Sequence, residues 1–332
     1  MQTPDQNLTV AAPRPRALYW MLALGLAAIL LYFSLRGIDW WRVWEVLRGA
    51  KLYAVGAALA TISMGILLRA VRWRVLLSSG KTVPIPMVFW ATAAGYLGNN
   101  LLPARAGELV RTLMISGRSG LGKAFVLTTA LTERVSDAIV LIGVSAGILL
   151  TLPARPGWLA TAARPFAAVG LGGVAAIALL PVFEPFWFQI LNRMPIPPAF
   201  RGRTERVLSQ VIQGIRGLHD RGRLARFLGL TAVIWSNDAV TAMVCAHALG
   251  LAVSWPVALL LLAGLGLGSA LPSTPGYVGI YQFVAVTVLT PFGIGRSDAI
   301  AFVLLYQALG YVAILALGLI GMAKQRAKWS AA

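Results

Sequence analysis

Two long apolar stretches of the chain are interrupted at their middles in the same way. Residues 97 to 108 read Leu-Gly-Asn-Asn-Leu-Leu-Pro-Ala-Arg-Ala-Gly-Glu, and residues 267 to 276 read Leu-Gly-Ser-Ala-Leu-Pro-Ser-Thr-Pro-Gly. A proline lacks a backbone donor and a nearby glycine bares the peptide, so each break leaves polar backbone inside an apolar segment. In hydrocarbon such backbone is tolerated only where it is covered by protein or lines a wet cavity. Discontinuous helices of this kind form the midplane sites of many transporters, which makes both breaks candidate substrate sites.

The runs around these breaks predict a polytopic membrane protein. Hydrophobic residues make up 58% of the chain and charged residues 12%, and several runs approach the roughly 20 apolar residues that cross a bilayer. The run from Ala17 to Leu35 is too long for a signal-peptide core and no small-residue cleavage site follows it, so it is expected to be a first membrane helix. A single cysteine, Cys245, excludes a disulfide within the chain and a Cys-based metal cluster, and two histidines offer little to a metal. No metal or cofactor is expected. The formal charge of +18 could signal nucleic acid, but the basic residues sit at the ends of apolar runs, where they report topology and attraction to anionic lipid.

Spanning helices are expected near 17–35, 52–70, 124–152, 166–190, 226–250 and 298–321. If 84–103 and 256–290 each enter and leave on one face, 21 basic residues fall inside and 7 outside, with Arg134 inside a helix. Making 84–103 a simple span would move the eight basic residues between Arg193 and Arg226 to the outside, against the positive-inside bias. The expected fold class is therefore an all-α polytopic membrane protein with about six spanning helices and two oppositely oriented re-entrant helical hairpins. The similar Leu-Gly and Leu-Pro-x-x-x-Gly patterns suggest an inverted repeat. In this reading 1–16 is a cytoplasmic tail, 17–192 the first half with its re-entrant segment 84–103, and 193–225 a cytoplasmic amphipathic linker. Residues 226–322 form the second half with its re-entrant segment 256–290, and 323–332 a second cytoplasmic tail. The expected location is the cytoplasmic (inner) membrane, multi-pass, with both termini cytoplasmic.

Two stretches have the pattern of interfacial helices. Residues 38–49 set Trp40, Trp41, Val43, Trp44 and Leu47 among Arg42, Glu45 and Arg48, which suits the outer membrane face. Residues 203–220 carry Val207, Leu208, Val211, Ile212, Ile215 and Leu218 at helical spacing, with Arg203, Arg206 and Arg216 beside them, and suit the cytoplasmic leaflet.

Charges at membrane depth supply the chemistry. Counting from Lys123, Glu133, Arg134 and Asp137 lie about 15–20 Å into their helix, near the bilayer centre. Asn237 and Asp238 reach a similar level on helix 226–250. Each central charge costs on the order of 2.5–3.5 kcal/mol on insertion scales, so these groups must pair and face the protein interior. Arg134 and Asp137, three apart, can pair along their own helix. Glu133 and Glu108 are expected to orient Arg105 and Arg111, whose planar forks would take an anionic group. Half-helix N-termini near Gly107 and Gly276 would add backbone donors. Asn99 and Asn100 are candidate hydrogen-bonding ligands beside the first break. Pro275, Gly276, Tyr277 and Gln282, with Tyr281, are candidates for the opposite mouth.

The chain resembles the flippase-like transmembrane family typified by the membrane half of lysylphosphatidylglycerol synthase. The resemblance is carried by Asn-x-x-x-Pro-x-Arg-x-Gly-Glu at Asn99, Pro103, Arg105, Gly107 and Glu108, by Glu-Arg-x-x-Asp at Glu133, Arg134 and Asp137, and by Pro-Gly-x-x-Gly at Pro275, Gly276 and Gly279. In order and spacing these motifs cover roughly residues 17 to 322. The resemblance implies a lipid-translocating membrane domain with re-entrant helices, often dimeric, and in some members joined to a soluble aminoacyl-transferase domain that has no counterpart expected here. Where many relatives carry a Glu after Gly279, this chain has Gln282, which argues against a cationic lysyl lipid as cargo.

The function expected from these observations is lipid translocation, not catalysis: a phospholipid, glycolipid or isoprenoid-linked head group would cross through a midplane polar cavity. A Gly-x-x-x-x-Gly-Lys-Ser/Thr motif is absent, so no nucleotide engine is visible in the sequence. Expected partners are a membrane lipid, a second copy of the chain and a lipid-biosynthesis protein, with no nucleic acid. An accessory or regulatory subunit of an envelope-lipid pathway is the alternative, ahead of a lipid-modifying enzyme.

Overall fold

The structure, a computed structural model, describes residues 14–101, 106–151, 168, 171–175, 177–194, 198–269 and 274–329. Its elements are α1 (Arg14–Leu35), α2 (Trp40–Arg48), α3 (Leu52–Leu77), α4 (Ile85–Leu101), α5 (Gly107–Ser119) and α6 (Lys123–Thr151). They continue with α7 (Leu171–Leu179), α8 (Glu184–Arg193), α9 (Pro198–Arg216), α10 (Arg221–Ala248), α11 (Trp255–Gly268), α12 (Ile280–Leu289) and α13 (Arg296–Trp329). A single 3-10 turn, Pro275–Tyr277, lies between α11 and α12. The described residues contain no strand. The protein is an all-α polytopic membrane protein.

Three helices, α3, α10 and α13, are long and apolar enough to span a bilayer unaided. Helix α6 has 29 residues, about 43 Å at the α-helical rise, but carries Glu133, Arg134 and Asp137 in its middle. Those charges keep it from being a span by composition alone, and they are paired with neighbouring helices. The stretch expected as a span at 166–190 differs: its described part is split into α7 and α8 around Leu180–Phe183. Pro181 has no N–H to continue a helix, and Pro185 opens α8 within its first turn.

Helices α4, α5, α11 and α12 form two short antiparallel hairpins. Helix α4 has 17 residues and α5 has 13, about 26 and 20 Å long, so neither crosses the roughly 30 Å hydrocarbon core without strain on its ends. They run antiparallel in close contact through glycines. A Cβ on Gly98 would sit 2.9 Å from Gly107 Cα, and one on Gly95 would sit 3.1 Å from Arg111 Cβ. The expected segment 84–103 corresponds to α4, and α5 returns beside it to Ser119. In the second hairpin, a Cβ on Gly264 would meet Val284 and one on Gly268 would meet Ile280, which again sets the two arms antiparallel.

The two hairpins open toward opposite sides. On one side the Lys81 ammonium donates to Ser119 O at 3.0 Å, joining the loop before α4 to the end of α5. On the other, Lys51 N donates to Ala248 O at 2.8 Å, and Asp39 N to Ser297 Oγ at 3.0 Å. The turns before α11 and after α12 lie with this second group. Helix α2 rests here with its N-cap Asp39 accepting from Trp41 N and Arg42 N, while Trp40, Trp41 and Trp44 stay more than half exposed, as an interfacial helix requires.

Packing follows the order of an inverted repeat. Helix α3 pairs antiparallel with α10 along most of its length, α4 packs against α13, and α11 packs reciprocally against α6. Ile85 and Trp255, which open α4 and α11, are 170 residues apart. The apolar core is divided accordingly. One cluster, built on Ala242, Leu261, Leu289 and Phe302, sits in the second half, and another, built on Trp73, Val88, Ile115 and Phe125, sits in the first.

Candidate functional site

The first half is tied together by a string of buried charges. Arg72, 1% exposed, sits on α3 and donates in bidentate fashion to Asp137 at 2.6 and 2.8 Å. Its Nε and Nη2 reach Glu133 Oε1 at 3.2 and 3.0 Å, and Nη1 also donates to Thr231 Oγ1 on α10 at 3.1 Å. The other oxygen of Glu133 accepts from Arg111 Nη1 on α5 at 3.0 Å. Arg111 in turn holds Glu108 at 2.5 Å, and Glu108 accepts from Arg134 Nε at 2.9 Å. The sequence of contacts is Asp137, Arg72, Glu133, Arg111, Glu108, Arg134, with alternating sign. Each guanidinium also lies against an aromatic ring: Arg72 over Phe227, Arg111 over Trp73 and Arg134 over Tyr96, at 5.0, 4.4 and 5.4 Å. Opposite charges in contact, with stacked faces covering the rest, make such groups tolerable at this depth.

A second pair stands apart. Arg69 on α3 forms a two-point contact with Asp238 on α10, and Asn237 beside it donates to Thr61 O at 3.0 Å. Gly65 lies directly under this pair, where a Cβ would meet Arg69 Nη1 at 3.1 Å and Asn237 Nδ2 at 3.2 Å. Glycine is what allows α3 and α10 to approach here.

These two groups flank a cavity of about 290 Å³ at the point where the hairpins converge. Its wall takes Tyr96, Asn99 and Asn100 from α4, Glu108 from α5, Arg134 from α6, and Arg69 and Asp238 from α3 and α10. The second half contributes Trp235, Ser269, Gly276, Tyr277, Tyr281, Tyr306, Gln307 and Tyr311, among others. Tyr277 and Tyr281 stack with centroids 5.1 Å apart and planes 10° from parallel. The turn at Gly276 is shaped for this place. Its φ is +75°, a Cβ would collide with the Tyr311 hydroxyl, and its carbonyl accepts from Tyr311 Oη and from Gln307 Nε2, the latter at 3.0 Å.

Several expectations change at this level. Arg134 and Asp137 do not pair along α6: Arg134 turns to Glu108 and Asp137 to Arg72, because α3 and α5 offer closer partners on the two sides of the helix. Arg111 and Glu133 do not face the cavity. They are 3% and 2% exposed and hold each other behind its wall. Gln282 is also buried; it accepts from Gly279 N at 2.8 Å and donates to Gln307 at 2.7 Å, which places the return helix. The second half-helix accordingly starts at Ile280 and its first donor is already satisfied, unlike the start expected near Gly276. Arg105 and Pro103 lie outside the described residues, as does the side chain of Pro275.

Two residues at the centre of the structure, Arg69 and Arg72, were expected at the cytoplasmic edge. Helix α3 continues to Leu77, so both lie inside it. The signal was present: Trp73, Leu76 and Leu77 continue the apolar face, and all three are fully buried. Withdrawing Arg69, Arg72 and Arg111 from the inside tally leaves 18 basic residues against 7, and the bias keeps its sign.

Comparison with known proteins agrees with this architecture. Residues 20–318 match the lysylphosphatidylglycerol synthase TM region. The chain is also similar to a protein of the archaeon Haloferax volcanii named glycosyltransferase AglD, at 28% identity over 306 residues, covering 81% of this chain and 47% of that protein. The chain thus spans about half the length of that curated relative. With nearly its whole length matched, broken hairpins and central charges included, the chain belongs to the family of lysylphosphatidylglycerol synthase transmembrane regions.

Proposed function

We propose that this protein moves a lipid between the leaflets of the membrane, with the head group passing through the cavity while the tails remain in the bilayer. The observation that carries the proposal is the meeting of two short hairpins, opening toward opposite sides, at a mostly apolar cavity whose wall carries Arg69, Asp238, Glu108 and Arg134. A head group needs such a path because its desolvation in hydrocarbon is prohibitive. Membership of the family and the glycosyltransferase name of the relative both support a place in lipid or glycolipid handling.

In this reading Arg69, Asp238, Glu108, Arg134, Asn99 and Asn100 contact the head group, whereas Arg111, Glu133, Arg72 and Asp137 hold the wall in place. The two hairpins have unequal roles. Ion pairs fix α5 to α6 and α6 to α3. Among the described residues no ion pair reaches α11 or α12; neutral hydrogen bonds through Gln282, Gln307 and Tyr311 hold α12 and the turn at Gly276, and α11 packs against α12, α6 and α10. The second hairpin is therefore the element that rocks to change access, and the first is the fixed wall. The charge bias supports an orientation with both termini cytoplasmic. The protein itself performs no bond chemistry in this account, and any synthesis belongs to a partner.

The test is reconstitution of the purified protein in liposomes with tail-labelled fluorescent lipids, followed by bleaching from outside with dithionite. Wild type should expose inner-leaflet probe faster than protein-free liposomes, and Asp238→Asn and Arg134→Gln should slow this exposure at normal abundance and folding. Equal rates with and without protein, for lipids of every head-group charge, would remove the proposal. A second reading, an accessory subunit of a lipid pathway, is favoured by the relative's name. It predicts that both variants keep full pathway activity.

A further inference from the structure

We infer that Arg134 is the head-group anchor of this cavity and that the group it holds is the anionic phosphate of a lipid; this rests on the translocation reading above and names its substrate class. The first ground is the build of the charge string. Three of its members are arginines stacked on aromatic rings: Arg72 on Phe227, Arg111 on Trp73 and Arg134 on Tyr96. Arg72 holds two carboxylates, Glu133 and Asp137, and Arg111 also holds two, Glu108 and Glu133. Among the described residues Arg134 holds one, Glu108. The string thus has a negative end at Asp137 and a positive end at Arg134, and of these two ends it is Arg134 that lines the cavity. The next member in the alternation would be an anion in the cavity, and Arg72 and Arg111 show that a guanidinium in this setting holds a second one.

The second ground is which hydrogen-bonding capacities the wall leaves open. Both oxygens of Glu108 accept from a guanidinium, Oε1 from Arg134 Nε and Oε2 from Arg111 Nε. Both oxygens of Asp238 accept from Arg69. A cationic head group, or the ammonium of a zwitterionic one, therefore finds every carboxylate oxygen of the described wall already taken. Arg134 differs. Among the described residues it donates through Nε alone, and its side chain is 32% exposed. Its Nη1 and Nη2 are not among the enclosed polar atoms that lack a partner, so they have surface to offer the cavity that Arg134 lines.

Open donors on a fixed cation select for acceptors that carry negative charge. The paired Nη groups of a guanidinium match two oxygens of one phosphate, and such charge-assisted bonds are about twice as strong as those to a neutral hydroxyl. Glu108 and the Tyr96 ring hold Arg134 in place from the protein side, so its fork is oriented before the ligand arrives. Asn100, from the last turn of α4, lines the same wall and adds an amide donor. The volume of about 290 Å³ lies at the small end for ligand sites, sufficient for a small phosphate-bearing group with the tails excluded.

The test uses the full chain in phosphatidylcholine liposomes with three tail-labelled lipids: phosphatidylglycerol, a glucosyl diacylglycerol and a cationic trimethylammonium lipid. Phosphatidylglycerol should cross about tenfold faster than either of the others, the scale of one charge-assisted hydrogen bond. Arg134→Gln should abolish this preference, and Arg134→Lys, which keeps the charge without the fork, should retain part of it. A second measurement, in detergent, separates a lost site from a poorly folded variant: short-chain phosphatidylglycerol should raise the Tm of wild type and leave that of Arg134→Gln unmoved. Equal crossing of the three lipids in wild type, or an undiminished preference in Arg134→Gln, would overturn the inference while leaving translocation intact. Stabilisation by inorganic phosphate but not by short-chain phosphatidylglycerol would assign the site to a soluble anion and overturn the lipid assignment. Failure of all three lipids to cross would overturn the translocation reading, and the inference with it.

Discussion

Replacing Glu133 by Gln tests the buried charge string at its centre. The carboxylate is 2% exposed and touches two arginines at 3.0 Å, Arg72 through one oxygen and Arg111 through the other. Neutralising it turns a balanced string of six alternating charges into one with a net positive charge. Removing one partner from a buried ion pair costs about 3–5 kcal/mol. The lower end applies, because Arg72 retains Asp137 and Arg111 retains Glu108. A loss of about 3 kcal/mol lowers the folded-to-unfolded ratio by roughly two orders of magnitude. At about 2–4 °C per kcal/mol for a domain of this class, Tm in detergent should fall by about 6 °C or more. Glu45→Gln is the matched control, because its pair with Arg42 is about half exposed on both sides and such pairs contribute about 0–1 kcal/mol. Its Tm should stay within about 4 °C of wild type. The double variant Arg111→Gln/Glu133→Gln should be less destabilised than the sum of the singles by about 1–3 kcal/mol. Thermal unfolding followed by fluorescence-detected size exclusion reads all five proteins: wild type, the Glu133→Gln, Arg111→Gln and Glu45→Gln singles, and the double. Equal shifts for Glu133→Gln and Glu45→Gln, or strict additivity in the double variant, would refute the reasoning.

Gly98→Ala should destabilise by about 1–3 kcal/mol, because its Cβ would sit 2.9 Å from the Gly107 backbone and force the arms of the first hairpin apart; Gly117→Ala, with open space around it, should leave Tm unchanged in the same assay. Hydrogen exchange should be faster in α12 than in α5, since ion pairs bind only the latter to its neighbours; equal protection of the two would contradict unequal hairpin roles. Asp298→Asn should have little effect on Tm, because its partner Arg42 is half exposed, and a loss comparable to Glu133→Gln would show that α2 is held chiefly by that contact.

The breaks were legible in the sequence because proline and glycine impose local backbone chemistry that no tertiary context erases. Pro103 and Gly107, and Pro272 and Gly276, announced both hairpins. The choice of charge partners was not legible, because it depends on which helix faces meet. Arg134 and Asp137 at i and i+3 satisfy the rule for a pair on one helix, yet each finds a partner on a neighbouring helix instead. Arg69 and Arg72 were hidden by their neighbours. A cluster with Arg74 resembles a cytoplasmic end, and only the buried Trp73, Leu76 and Leu77 reveal that the helix continues. The second hairpin's charge-free hold was equally invisible. Positions 170 residues after Arg72, Glu133 and Asp137 are Ala242, Val303 and Gln307, so the repeat preserves the backbone path and abandons the ion pairs.

Everything proposed for the cavity depends on the hairpins entering from opposite sides. Cys245 is fully buried, so a Cys245→Ala background permits single cysteines at two exposed sites, Lys123 beside the end of α5 and Thr290 beside the end of α12. In sealed vesicles of one orientation, a membrane-impermeant maleimide added outside should label one of the two variants and reach the other only after the vesicles are opened. Labelling of both from the same side in intact vesicles would contradict the account.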